Sequence, residues 1–215
     1  MPLELITVTT ADHKELDGAL YRPEGERPKV GVLVVHGLTW NFYRGPSRWL
    51  PPLLTMAGHL CLSLNMRDHD LAEPVEFEQS HHDIKAGIDF LAAEGGETII
   101  LLAHGYGCNK AVCYPALSGD HRVEHYILTT LGSVKAYRPD IWDKVLACAP
   151  ALRGKALVVQ GAVDPLIEGE PRAAELVDAA REAAIEVVFL DGADHYFADT
   201  HQALADTIIG WAERA

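Results

Sequence analysis

The chain has few basic residues, no long hydrophobic run and no closely paired cysteines, and each shortage excludes a class of protein. Its 18 Lys and Arg residues are outnumbered by 31 Asp and Glu residues, so the formal net charge is −13. Nucleic acids and anionic membranes bind basic surfaces, and we therefore expect neither as a partner. No apolar run reaches bilayer-spanning length, and the first residues lack the basic and apolar regions of a secretory signal. We therefore expect a cytoplasmic protein.

The spacing of the cysteines and histidines argues against a metal centre. The four cysteines occur singly, without the C-x-x-C spacing of a metal or redox motif, at Cys61, Cys108, Cys113 and Cys148. Isolated thiols favour a reduced, cytoplasmic state. The 11 histidines include the adjacent pair His81 and His82, but neighbouring residues on a helix point to different faces. Because zinc requires three or four converging ligands, we predict no metal site.

Short apolar runs alternate with helical patterns along all 215 residues, which predicts one α/β domain over residues 1–215. The run Val30–Val35 is non-polar at every position, as expected for a strand that is covered on both faces. Ser80 and Asp83 have capping-box spacing and predict that a helix starts at Ser80. Residues 173–184 form a further predicted helix. This alternation indicates a mostly parallel sheet with helices on both faces.

In a parallel sheet the functional groups lie beyond the carboxyl ends of the strands. Five chemically versatile or conformationally special residues each follow a predicted strand: His36, Arg67, Gly105, Asp164 and His195. We expect these residues to converge at one edge of the sheet. Residues 131–154 are the only stretch available for a lid, and they are predicted to hold one short helix at most.

The sequence contains a motif in which one characteristic residue is replaced by another. Residues 103–107 read Ala-His-Gly-Tyr-Gly, directly after the apolar run 98–102 and before a helical pattern. This is the setting of a nucleophile elbow, small-x-Ser-x-small, in which a strained turn raises a serine into an active site. Here Gly105 occupies the place of the serine.

Four motifs, taken in order, resemble those of the α/β-hydrolase fold superfamily over nearly the whole chain. His36-Gly37 resembles the oxyanion loop, and residues 103–107 resemble the elbow. Residues 161–165 resemble the turn that carries the acid, and residues 192–195 resemble the turn that carries the histidine. The order nucleophile, acid, histidine is that of the superfamily. The resemblance implies about eight strands, a minimal lid and no cofactor.

The resemblance also implies roles for individual residues. Asp164 would orient the imidazole of His195, and the backbone N–H groups of Leu38 and Tyr106 would form an oxyanion hole. Cys108, about one helical turn beyond Gly105, is a further nucleophile candidate, although a small buried apolar side chain is the simpler interpretation. The candidates for the substrate pocket are His36, Asn41, Tyr43, His104 and Tyr137.

The glycine at position 105 leaves three interpretations open. In the first, the protein is a hydrolase-like enzyme for a small ester, lactone or acyl-type molecule, and a His195–Asp164 dyad works without a covalent intermediate. In the second, the protein is non-catalytic and binds a ligand or a protein partner. In the third, it is an ordinary serine esterase inactivated by a Ser-to-Gly exchange. The partner expected of the enzyme is a small molecule, and a homodimer is compatible with such a domain.

Overall fold

The computed structural model describes residues 3–25, 28–69, 75–131, 139–166 and 172–214. Eight strands in these ranges form one sheet: β1 (Leu3–Thr9), β2 (Glu15–Tyr21), β3 (Val30–Val35), β4 (Leu60–Leu64), β5 (Thr98–His104), β6 (Val123–Thr129), β7 (Gly154–Gly161) and β8 (Ala183–Leu190). Six α-helices accompany them: α1 (Pro46–Met56), α2 (Ser80–Ala93), α3 (Tyr106–Ser118), α4 (Pro139–Cys148), α5 (Arg172–Ala179) and α6 (His201–Ala212). Short 3₁₀ turns cover Phe77–Gln79 and Ala149–Ala151.

The strands lie in the order β1-β2-β4-β3-β5-β6-β7-β8. The pairs β1–β2 and β2–β4 are antiparallel, and the other neighbours are parallel. The carboxyl ends of β3 to β8 therefore share one edge of the sheet. The prediction of a mostly parallel sheet of about eight strands is confirmed.

Strand β3 shows why the sheet needs helices on both of its faces. Leu33 and Val35 belong to the apolar core on the side of α2, α3, α4 and α5, whereas Val32 and Val34 belong to the core on the side of α1 and α6. All four side chains are at most 2% exposed. Alternate residues of a strand point to opposite faces, and each buried Val or Leu contributes roughly 1.5–3 kcal/mol. The non-polar run in the sequence is thus a strand of the sheet interior.

The helix predicted over residues 173–184 is wrong at its carboxyl end. Helix α5 ends at Ala179, and β8 begins at Ala183, which pairs with Gly154 of β7. Alanine is a good helix former and a poor strand former, so composition alone favours continuing the helix. Ala183 and Ala184 nevertheless lie in a strand, because the backbone groups at the edge of β7 are satisfied by pairing with β8.

The capping box predicted at the start of α2 is also wrong. Helix α2 does begin at Ser80, as predicted, but Gln79 occupies the N-cap position and no side chain caps the first turn. Asp83 instead accepts hydrogen bonds from the backbone N–H and from Nε of Arg67, both at 2.8 Å. Arg67, in the loop after β4, thus binds the Asp83 carboxylate, which does not cap the helix. Hydrogen bonds between charged groups are stronger than those to a neutral backbone N–H.

Helix α4 occupies residues 139–148 of the segment predicted as a short lid. Its Ile141 and Val145 are fully buried in the core that also contains α3. Tyr137, a pocket candidate, lies outside the described residues. Within the described ranges, every helix falls short of the length and apolarity that crossing a bilayer requires.

Candidate active site

The candidate site lies at the sheet edge where the parallel strands β3, β5, β7 and β8 end. His36 follows β3 directly, Gly105 follows β5, and Asp164 follows β7 by three residues. His195 lies in the loop between β8 and α6. The topology brings these four residues to one edge, as the order of motifs predicts, and the side-chain contacts among them follow from that placement.

His195 and Asp164 form a hydrogen-bonded pair. The distance from Nδ1 of His195 to Oδ2 of Asp164 is 2.8 Å, and the carboxylate is buried while the imidazole is 14% exposed. The other carboxylate oxygen accepts a hydrogen bond from the backbone N–H of Leu166 at 2.8 Å. A carboxylate only accepts, so Nδ1 of His195 carries a proton. In the neutral ring Nε2 is then the acceptor, and Asp164 holds the ring in that tautomer.

Gly105 faces that imidazole. Its φ of 55° and ψ of −121° place it in a backbone region that side chains rarely adopt, immediately before α3. A Cβ built on Gly105 would lie 3.7 Å from Nε2 of His195, an ordinary van der Waals distance, and would meet no other described atom within 4 Å beyond its chain neighbours. Position 105 therefore has the turn geometry and the room that a nucleophile requires, but it lacks the hydroxyl.

Gly107, two residues further on, allows the start of α3 to approach the end of β3 closely. A Cβ there would lie 2.6 Å from the carbonyl oxygen of Val35 and 2.7 Å from that of His36. Only glycine lets the start of α3 pack this closely against the end of β3. Packing therefore requires Gly107 at the end of the motif, independently of the residue at position 105.

The predicted oxyanion hole consists of the backbone N–H groups of Leu38 and Tyr106. Tyr106 is the first residue of α3, where N–H groups have no acceptor within the helix and the helix dipole favours negative charge. Leu38 lies in a tight turn in which the N–H of Trp40 donates to the carbonyl of Gly37 at 3.3 Å. The role of the two N–H groups stays a prediction.

His36 braces the loop above β3. Its Nδ1 lies 2.7 Å from the carbonyl oxygen of Gly37, and its Nε2 accepts a hydrogen bond from the backbone N–H of Met66 at 2.9 Å. The ring is fully buried, and burial, reinforced by the charge of Lys110, lowers its pKa to about 3. Both nitrogens are engaged within the protein, so His36 supports the loop that follows β3 and offers a ligand no free nitrogen.

His104 is a buried neutral ring whose tautomer follows from its neighbours. Its Nδ1 lies 3.1 Å from Oγ1 of Thr129 and 3.2 Å from Oγ1 of Thr130. Each hydroxyl already donates its single proton to a backbone carbonyl, that of Ala103 for Thr129 and that of Thr129 for Thr130. Nδ1 of His104 must therefore be the donor, which leaves Nε2 as a buried acceptor that has no partner among the described residues.

His104 lies beside His195. Its ring centroid lies 5.3 Å from that of His195. Burial lowers the pKa of His104 to about 3, and the charge of a protonated His195 acts in the same direction. Because His104 stays neutral, it does not compete with His195 for a proton at neutral pH.

Asn41 and Tyr43 lie in the loop beside the site. Oδ1 of Asn41 accepts a hydrogen bond from the backbone N–H of Tyr43 at 2.9 Å. Tyr43 is 54% exposed and packs against the guanidinium of Arg48, 4.7 Å from the ring centroid. The contacts of these two side chains in the described part of the chain are made with their own loop and with α1, and their role as pocket residues stays a prediction.

Two aromatic residues at the site were not predicted. Trp40 stacks between His104 and Tyr196, with ring centroids 5.2 Å from each, and Tyr196 contacts His195 edge-on at 5.0 Å. Gly45 has a φ of 56°, and a Cβ built on it would lie 1.9 Å from Cζ3 of Trp40. Tyr196 could have been inferred from its place beside His195, whereas Trp40 had no local signal beyond its nearness to His36-Gly37.

Cys108 does not replace the missing nucleophile. Its buried thiol lies 3.4 Å from the carbonyl oxygens of Ala103 and Thr129. Burial raises the pKa of this thiol well above its ordinary value, so it is poorly nucleophilic. The interpretation as a small buried apolar side chain fits its environment.

Arg67 and its neighbour Asp68 have structural partners. Arg67 bridges the carboxylates of Asp83 and Asp12, with Nη1 of Arg67 at 2.8 Å from Oδ2 of Asp12. Asp68 forms a buried ion pair of 2.6 Å with Nζ of Lys110. Burial acts to raise the pKa of Asp68, but the ammonium of Lys110 outweighs it, and the pKa is lowered. These pairs fix the loop after β4 to α2 and α3. In the described ranges, no group of three or more His, Cys, Asp or Glu side chains could hold a metal ion.

Comparison with known proteins shows the fold. No family model matches the chain, and no curated protein matches it. A dienelactone hydrolase from Anabaena variabilis is similar in structure, with a TM-score of 0.77, 19% identity, and coverage of 99% of this chain and 97% of that chain. An esterase from Pyrococcus furiosus has a TM-score of 0.80 at 16% identity, over 99% of this chain and 92% of its own.

A third similar structure is also a hydrolase. It is a serine hydrolase without a lid from Xanthomonas campestris, with a TM-score of 0.75 and 16% identity, over 100% of this chain and 96% of its own. The chain therefore has the α/β-hydrolase fold, as the four motifs predict.

Proposed function

We propose that this protein is a hydrolase-like enzyme for a small ester, lactone or acyl-type molecule, and that it works without a covalent intermediate. The observation that carries the proposal is the position of Nε2 of His195, 3.7 Å from where a Cβ of residue 105 would lie. A base held by a buried carboxylate thus faces the space that the missing hydroxymethyl group leaves. The names of the similar structures, a dienelactone hydrolase and an esterase, support this substrate class.

The proposed reaction uses water in place of the serine. A water molecule in front of Gly105 loses a proton to Nε2 of His195 as its oxygen attacks the carbonyl carbon of the substrate. The carbonyl oxygen becomes an oxyanion, which the N–H groups of Leu38 and Tyr106 stabilise. The oxyanion then re-forms the carbonyl group as the C–O bond to the leaving group breaks, and the imidazolium, stabilised by Asp164, gives its proton to the leaving oxygen. Every proton taken from water is returned in the product.

The loss of the covalent step limits the rate that such a site can reach. Removing the nucleophile from a serine hydrolase of another fold lowers kcat by about 10⁶ and leaves about 10³–10⁴ over water. We therefore expect turnover only of substrates with a good leaving group or a strained ring, for which direct attack by water is feasible.

Two observations favour the other interpretations. Gly105 adopts its φ of 55° without the strain that any other residue would have there, which is what a ligand-binding protein free of catalytic selection would accumulate. Conversely, the open space around a built Cβ at position 105 would accept a serine side chain, which fits an inactivated serine esterase.

The variant His195→Ala tests the proposal. Activated aryl esters and small lactones are assayed with the wild type, with His195→Ala and with His121→Ala, whose side chain is exposed and remote from the dyad. We expect His195→Ala to lower kcat/KM by about 10²–10⁴, the usual contribution of a general base, and His121→Ala to leave it unchanged. Equal rates in all three proteins would remove the dyad from the reaction. A ligand that binds tightly and is recovered unchanged would favour the binding interpretation.

A further inference from the structure

An aromatic surface that carries one positive charge lies beside the candidate active site. Tyr196 is 46% exposed, contacts His195 edge-on at 5.0 Å and stacks on Trp40 at 5.2 Å. The exposed guanidinium of Arg44 lies on the same Trp40 ring, with its Cζ 5.3 Å from the ring centroid. One ring therefore separates this charge from Tyr196, and two rings separate it from His195.

The loop that carries Arg44 is tied to the sheet. The backbone N–H of Phe42 donates to Oδ1 of Asn65 at 2.9 Å, and Oγ of Ser63 donates to the carbonyl oxygen of Phe42 at 3.3 Å. The N–H of Arg44 closes a turn by donating to the carbonyl oxygen of Asn41 at 3.3 Å. The Arg44 side chain thus extends from a backbone that is held in place, as recognition of a ligand requires.

The guanidinium of Arg44 differs from most others in this acidic chain by what it contacts. Three arginines form ion pairs with carboxylates: Arg22, Arg67 and Arg122. Three others donate to backbone carbonyl oxygens: Arg153, Arg181 and Arg214. Over the described ranges, the Arg44 guanidinium contacts the Trp40 ring and no carboxylate. In a chain with a net charge of −13, this leaves a positive group beside the site that can meet an anion.

The carboxylates of the site itself are bound by other donors. Asp164 accepts a hydrogen bond from Nδ1 of His195 at 2.8 Å. Oδ1 of Asp194 accepts hydrogen bonds from the backbone N–H groups two and four positions further on, both at 3.0 Å. A guanidinium has five N–H donors and no acceptor. Those of Arg44 are therefore open to the carboxylate of a ligand, which two of them can bind side by side.

We propose that the site binds a substrate that combines a flat, conjugated ring with a carboxylate. The ring packs against the exposed part of Tyr196, because aromatic rings in contact attract each other beyond the burial of their area. The carboxylate accepts two parallel hydrogen bonds from the fork of the Arg44 guanidinium. A cationic substrate is disfavoured, because Arg44 repels it. The inference rests on the proposed function for the reacting group and adds how the rest of the substrate is recognised.

The test compares the binding of three small probes to the full-length protein by NMR titration. Benzoate has both features, benzamide lacks the charge, and cyclohexanecarboxylate lacks the flat ring. We expect benzoate to bind about 10-fold more tightly than benzamide, the effect of a hydrogen bond to a charged group, and about threefold more tightly than cyclohexanecarboxylate. Added salt should weaken the binding of benzoate and leave that of benzamide unchanged. Equal binding of benzoate and benzamide, or no saturable binding of benzoate, would overturn the proposal.

Variants of Arg44 assign the charge. Arg44→Gln should abolish the preference for benzoate over benzamide, and Arg44→Lys should keep part of it, because lysine retains the charge without the planar fork. The matched control is Arg153→Gln, since Arg153 is exposed, lies just before the amino end of β7 and donates to backbone carbonyl oxygens. It should keep the full preference. A preference that survives in Arg44→Gln, or that is lost in Arg153→Gln, contradicts the role of Arg44.

Two measurements separate this inference from the proposed function. The titrations require no turnover, so they decide on the recognition of the ligand even if the protein hydrolyses no ester. For turnover, we expect the ratio of kcat/KM for a carboxylate-bearing aryl ester to that for its neutral counterpart to fall about 10-fold in Arg44→Gln. Hydrolysis with the same ratio in both proteins would support the proposed function and overturn this inference. Selective binding of benzoate without any hydrolysis would do the reverse.

Discussion

The substitution Gly105→Ser, which places a hydroxyl at position 105, is the most informative test of this site. In Gly105→Ser the Cβ finds open space, with Nε2 of His195 at 3.7 Å. A hydroxyl about 1.4 Å beyond that Cβ can come within the 2.6–3.2 Å of Nε2 that proton transfer requires. The backbone φ of 55° stays, and a non-glycine residue in such a region costs about 1–3 kcal/mol. The variant should therefore be less stable and chemically more reactive.

The assay measures the two effects separately. We expect the melting temperature to fall by about 2–12 °C, since 1 kcal/mol corresponds to about 2–4 °C in a domain of this size. We also expect a fluorophosphonate probe to label residue 105 and activated aryl esters to give a burst of product, the sign of an acyl-enzyme. An intact oxyanion hole would let the rate rise by up to about 10⁶.

Gly105→Ala is the matched control, because it carries the same backbone strain without the hydroxyl. It should lose the same stability as Gly105→Ser and show neither labelling nor a burst. If Gly105→Ser folds, loses stability like the alanine variant and still reacts with nothing, then Nε2 of His195 is not aligned with position 105. If neither variant loses stability, the turn at Gly105 is not strained as its dihedral angles indicate.

Two further predictions concern buried charge. The pKa values of His36 and His104 are lowered to about 3, so both rings are neutral in the folded state and protonated in the unfolded state below about pH 6.5. The free energy of unfolding is therefore highest above that pH and falls as the pH is lowered toward 3. Between pH 7 and pH 5 the loss is about 2 kcal/mol for each ring. Urea unfolding at the two pH values should show this loss, and a stability that is flat over the range would contradict it. Lys110→Met should cost about 3–5 kcal/mol, because it leaves the Asp68 carboxylate buried without its partner, and Asp68→Asn/Lys110→Met should recover much of that loss. If Lys110→Met alone is neutral in the same unfolding assay, the ion pair is not buried as described.

Much of the fold was predictable because the strand pattern is local. A run such as Val30–Val35 is non-polar at every position, and only an interior strand with both faces covered gives each of those side chains an apolar environment. Where local patterns are ambiguous, prediction failed. The alanines after α5 suit a helix, and the pairing with the edge of β7 places Ala183 and Ala184 in the strand instead.

The candidate site was likewise predictable only where local motifs identify its residues. The motif order placed Asp164 and His195 at neighbouring strand ends, and the two side chains do meet at 2.8 Å. The engagement of His36 by Gly37 and Met66 was not predictable, because its second partner lies 30 residues away in the sequence. Trp40 was missed for the same reason, since its stacking partners come from β5 and from the loop before α6.

The sequence by itself determined where most strands and helices lie, because periodicity, turn residues and motif order act over a few residues at a time. It also determined that position 105 holds no nucleophilic side chain. Only the tertiary structure decided which buried rings keep a free nitrogen and which aromatic rings lie beside His195. Those outcomes depend on distances between segments far apart in the chain, and such distances exist only once the sheet and its helices have packed.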